Sequence, residues 1–96
     1  MDTEATLGLM SKVELKLALD CSSNTTIAVY VEEQLITPPV QQGDRRVAWP
    51  RHEIAAILDA RAAGADRETI RALVRRLMAE RAARLASLKA SLEVMA

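Results

Sequence analysis

Phenylalanine is absent from this 96-residue chain, and tyrosine and tryptophan occur once each. A β-sandwich or barrel core, which draws on aromatic and β-branched residues, is therefore not expected. Three Gly and three Pro argue against a loop-rich chain. Cys21 is the only cysteine, so no disulfide can form within the chain. One Cys and one His, His52, cannot build a structural zinc site, so no metal or cofactor is expected. Cys21 reads as a small buried apolar side chain and His52 as a surface residue. A Cys-His nucleophile pair would lack an orienting third group, so no enzymatic activity is expected. No apolar run approaches membrane-spanning length, and the start "MDTEATLGLM" is acidic and does not read as a signal peptide. The expected location is cytoplasmic.

Net charge is also absent, but only as a sum. Residues 1–40 hold two basic and six acidic groups, and residues 41–96 hold eleven basic and seven acidic groups. The front is thus −4 and the back +4. Such a split suits an anionic partner or head-to-tail self-association, although two solvated mixed-charge faces would look the same.

What is present is helix-forming: half of the residues are apolar, mostly Ala, Leu and Val. Residues 1–8 read as a flexible lead-in. "SKVE" at 11–14 is a capping box, in which Ser11 and Glu14 satisfy each other's backbone amides. A short helix to about Leu19 follows, with Val13 and Leu17 on one face and Lys12 and Lys16 on another. "DCSSN" breaks it and offers a new cap at Ser22, Ser23 or Asn24. A second helix then runs to about Gln34. Ile27, Val31 and Leu35 form its buried stripe, while Asn24, Thr25, Ala28, Val29 and Glu32 face outward.

"TPPV" ends that helix, and "QQGD" reads as a tight turn between strands at Val40–Gln41 and Arg46–Trp49. Pro50 suits the first turn of a third helix carrying Ile54, Ile57, Leu58 and Arg61. Gly64 stops it, and Asp66 caps a fourth helix running from Arg67 almost to the end. Thirty helical residues would span about 45 Å, more than so small a domain needs. Met78, Leu85 and Leu92 are seven apart, as are Leu88 and Met95, a heptad seam interrupted by Arg81. The line Arg67, Arg71, Arg75 reads as a solvated helix face.

Helix, turn, helix, hairpin, helix is the order of a compact winged helix-turn-helix. The expected fold is mainly α with a small two-stranded antiparallel wing, followed by a long C-terminal helix. Residues 9–64 would form the DNA-binding domain and 65–96 a helical extension for self-association through Leu85, Leu88 and Leu92. In this fold the second helix enters the major groove, and the wing rests on backbone or minor groove. Arg45 and Arg46 at the wing tip would pair with phosphates or enter a narrow minor groove. Trp49 would anchor the wing's base.

The stretch "SNTTIAVYVEEQLITPPVQQGDRRVAWPRHEIAAILDAR" resembles the AlpA family of phage and prophage DNA-binding regulators. The resemblance rests on Ser23, Thr26 and Ile27; Pro38, Pro39 and Val40; Gly43, Arg45, Val47 and Trp49; and Glu53 and Ile54. It covers about residues 9 to 63 and is most specific in the hairpin. It implies a bacterial protein of a mobile element that sits on the nucleoid when bound. That protein would regulate transcription, or assist an integrase in excision as a recombination directionality factor. Relatives of the excisionase type load side by side on double-stranded DNA and bend it, which implies a homo-oligomer along the duplex.

The chain departs from that pattern in its second helix. Family members often carry Arg after the cap serine, Tyr-Arg after the isoleucine and Gly after the helix. Here those places hold Asn24, Ala28, Val29 and Gln34. Asn24 can read adenine, and Thr25 or Val29 can touch a thymine methyl, although capping competes for Asn24 and Thr25. The expected contact set is Ser23, Asn24, Thr25, Thr26 and Val29, with phosphate attraction from Lys12, Lys16, Arg45, Arg46 and Arg51. The acidic, arginine-poor second helix also motivates an alternative: a protein–protein interaction module with weak DNA affinity, working through the terminal helix.

Overall fold

A computed structural model describes residues 8–95. The elements are β1 (Leu9–Ser11), α1 (Lys12–Ala18), α2 (Asn24–Glu32), β2 (Val40–Gln41), β3 (Val47–Pro50), α3 (Arg51–Ala62) and α4 (Arg67–Met95). The protein is mainly helical, with a small antiparallel sheet and a long C-terminal helix. Apart from Gly8, the expected lead-in lies outside the described residues.

The sheet has three strands, in the order β1-β3-β2, where two were expected. Leu9, Met10 and Ser11 face Pro50, Trp49 and Ala48, while Val40 and Gln41 face Ala48 and Val47. β1 is three residues long, too short to show an alternating pattern. Its pairing with β3 defines it as a strand, and the Arg51 amide donating to the Gly8 carbonyl extends the ladder. Pro50 ends β3 and is the N-cap of α3, one place before the first turn expected for it.

Local signals explain the helix ends. Ser11 and Glu14 form the complete capping box of α1. Ser23 caps α2, its hydroxyl accepting from the Thr25 amide at 3.1 Å. Asp66 caps α4 through the Thr69 amide at 2.8 Å. The hydrogen bonds from Thr69, side chain and then backbone, hold the Asp66 carboxyl below its ordinary range. α1, α2 and α3 all end in the same paired-bond motif, with Asp20, Gln34 and Gly64 at positive φ. After α2, Gln34 donates to the Val31 carbonyl and Leu35 to the Tyr30 carbonyl. Gln34 sits at φ 61, where its Cβ is strained. We expect Gln34→Gly to raise stability by about 1 kcal/mol in urea denaturation, and Gly64→Ala to lower it by about as much.

The core joins every helix: Leu15, Ile27, Ile36, Trp49, Ile54, Ile57, Ile70, Val74 and Leu77. Fully burying one such side chain contributes about 1.5–3 kcal/mol. α1 inserts Leu15, while Val13 and Leu17 are 66% and 77% exposed. In α2 only Ile27 of the expected stripe is fully buried. Val31 and Leu35 are half-buried, and Ile36, past the helix end, fills the core. The first half of α4 packs on the domain, because Ile70, Val74 and Leu77 belong to the same core.

A buried ion pair ties α4 to the rest. Glu53 has no solvent exposure and accepts both Arg81 Nη2 at 2.5 Å and Arg81 Nε at 3.1 Å. Arg81 Nη2 also donates to the Pro38 carbonyl at 3.1 Å, joining α3, α4 and the approach to β2. The arginine that interrupts the heptad seam thus faces inward. Beyond it the helix projects: residues 82–94 are all exposed.

Candidate nucleic-acid interface

The β2–β3 hairpin turns through residues 42–46, closed by the Gln42 amide donating to the Arg46 carbonyl at 2.9 Å. Gly43 takes φ 141, a conformation that side chains rarely adopt, and the Gln41 side-chain amide donates to its carbonyl. Behind the turn, Trp49 is 1% exposed, and its indole N–H donates to the Thr37 carbonyl at 2.8 Å. The ring thereby fixes the hairpin's base to the helical core.

Arg45 and Arg46 are exposed at the tip, and neither forms an ion pair with any described residue. With Lys12 and Gln42 they line a cleft between the start of α1 and the hairpin. A second groove lies alongside, lined by Lys12, Asn24, Ala28, Val31 and Glu32 from the helices and by Pro39, Val47 and Trp49 from the hairpin side. Lys12 and Val47 border both. The two grooves adjoin at Lys12 and Val47, so the Asn24–Ala28–Glu32 side of α2 and the two guanidinium groups border neighbouring concavities, while exposed Thr25 and Val29 line neither. Three cations meet one carboxylate, Glu32, across the two.

The other expected contact residues divide. Thr25 and Val29 are exposed on α2, and Thr26 is half-buried. The Ser23 hydroxyl is engaged as the helix cap. Lys16 is half-buried one turn after Lys12 and borders neither groove.

Arg51 differs from the two hairpin arginines: its Nη2 is paired with Glu14 Oε2. The Arg51 hydrogen bond, then the Ser11 backbone amide, hold the Glu14 carboxyl below its usual range. Antiparallel pairing of β1 with β3 brings the starts of α1 and α3 together and so creates this contact. Counting charges along the chain cannot show that.

Elsewhere, Leu85, Leu88 and Leu92 are 52–58% exposed on the projecting part of α4. The Arg67-Arg71-Arg75 line is interrupted, because Arg71 is bound to Glu68 and to the Glu33 carbonyl. Arg61 lies over the Tyr30 ring, 5.6 Å from its centroid. Cys21 is half-buried against the core, and His52 is exposed. Among the described residues no group of three His, Cys, Asp or Glu is placed to hold a metal, and no helix is long and apolar enough to cross a membrane.

Fold and surface together define a small, mainly helical protein that presents a cationic hairpin beside a short exposed helix. No protein-family model, no curated protein and no solved structure matches the chain.

Proposed function

We propose that the chain is a winged helix-turn-helix protein that binds double-stranded DNA. α2 would lie toward the major groove, and the hairpin would act as the wing on the adjacent backbone or minor groove. The observation that carries this reading is the pair Arg45 and Arg46, exposed and unpaired among the described residues on a tip held by buried Trp49. Lys12, in the cleft between the start of α1 and the hairpin, adds a third cation. α2 itself carries no basic residue. Phosphate contact and DNA shape would therefore weigh more than arginine–guanine readout. The biological role follows the resemblance: a mobile-element protein that binds cooperatively and bends DNA, as a recombination directionality factor serving an integrase or as a transcription regulator.

A polarization titration against duplexes from the element's attachment and promoter regions tests this. Three phosphate-contacting cations predict a slope of log K against log salt of about −2.7. Absence of binding at low salt would refute the reading. The alternative, a protein-interaction module, is favoured by one feature: Leu85, Leu88 and Leu92 stand exposed on a helix that has left the core. That reading predicts only weak duplex binding that is unaffected by loss of Leu85, Leu88 and Leu92.

A further inference from the structure

We propose that the recess where α2, α3 and α4 meet binds a small organic carboxylate. It is lined by Tyr30 of α2, Leu35 just past that helix, Arg61 near the end of α3, Ala65 of the connection, and Arg67 and Ile70 of α4. Every charge on this lining is positive. Arg61 and Arg67 are exposed, and neither forms an ion pair with any described residue. The acids nearest in the chain have other partners or other places. Asp66 accepts the Thr69 amide, and Glu68 pairs with Arg71, which also donates to the Glu33 carbonyl. Neither Glu33 nor Asp59 lines the recess.

The lining sets the class of ligand. Arg61 is held in place, its guanidinium 5.6 Å from the centroid of the Tyr30 ring. Two planar forks at one opening suit a carboxylate, which accepts paired N–H bonds. The rest of the lining, Leu35, Ala65, Ile70 and the Tyr30 ring, is apolar and suits a short hydrocarbon or aromatic body. The cavity volume is about 180 Å³, below the roughly 300–1,000 Å³ of sites for drug-sized ligands, so a compact acid fits better than a nucleotide. Inorganic phosphate would engage the arginines and leave the apolar lining bare. A DNA phosphate is a poor occupant, because Tyr30 lies on the side of α2 turned away from the hairpin groove.

Tyr30 is the only tyrosine, so its ring proton resonances report on the recess directly. Sodium benzoate is titrated into the full chain at constant ionic strength, with acetate, inorganic phosphate and neutral benzamide as comparisons. Benzoate should move the Tyr30 ring and the Leu35 and Ala65 amides along one saturating curve. Acetate and phosphate lack the apolar body and benzamide lacks the charge, so each should bind roughly tenfold more weakly or worse. Arg67→Gln leaves Arg61 on the Tyr30 ring and should weaken benzoate roughly tenfold. Arg61→Gln combined with Arg67→Gln should abolish saturation. Both positions are exposed, and an unchanged Trp49 indole resonance shows that the variants keep their core. Absence of saturation with the natural chain, benzamide binding as tightly as benzoate, or full binding by the double variant overturns the proposal. Equal binding of acetate or phosphate reduces the recess to a solvated pair of arginines and overturns it as well. The test contains no DNA, so its failure leaves the duplex-binding reading untouched.

Discussion

Arg81→Met should destabilise the protein by about 3–5 kcal/mol, the usual cost of leaving one member of a buried ion pair alone. Glu53 is fully buried and accepts two bonds from Arg81, with Arg84 only at 3.8 Å as a second cation. Without the guanidinium, its carboxylate must stay desolvated or take up a proton. The Pro38 carbonyl loses its donor at the same time. Since small domains are stable by only about 5–15 kcal/mol, this single change removes a large share. A pair of changes, Glu53→Leu with Arg81→Met, should recover most of the loss, because an apolar pair of similar volume requires no desolvated charge. Urea midpoints at constant m-value measure both. A loss below about 1 kcal/mol for Arg81→Met would show that the pair does not hold α4 to the domain.

Arg45→Ala combined with Arg46→Ala should leave stability within about 0.5 kcal/mol, since both side chains are exposed and make no ion pair with described residues. Duplex affinity should fall sharply. Losing two phosphate contacts reduces the salt slope by about 1.8, equivalent to about sixtyfold weaker binding at 0.1 M salt. Replacement of both by lysine should retain part of the affinity at low salt, because charge persists while the planar fork is lost. An unchanged slope would mean that the hairpin tip does not touch phosphate. Arg51→Ala should change the slope little, because Arg51 is already committed to Glu14. Its effect should instead appear in stability.

Features encoded by neighbours in sequence were legible. The Ser11–Glu14 box, the Ser23 cap, the Gly64 stop and the turn at Gly43 each depend on residues within a few positions. The buried Trp49 at the hairpin base was legible too. Features made by distant segments were not. β1 exists through its partner β3 and has no pattern of its own. The phase of a seven-residue helix is poorly fixed by two turns, so Leu15, not the Val13-Leu17 pair, enters the core. The Arg51–Glu14 and Arg81–Glu53 pairs span 37 and 28 positions. Charge counting along the chain shows neither the Arg51–Glu14 contact nor that Arg81 faces inward. At the end of α2, only φ 61 shows that Gln34 stands in a position that favours glycine.

In the proposed complex, Lys12, the exposed side of α2 and the hairpin tip face the duplex together. Backbone amide NMR shifts recorded while a short duplex is added at low salt test it most directly. Salt-reversible shifts are expected at Lys12, Asn24, Ala28 and residues 42–47, with Tyr30 and Arg61 on the other side of α2 left in place. Shifts confined to Arg75 and Arg76 of α4, or none at all, would contradict it.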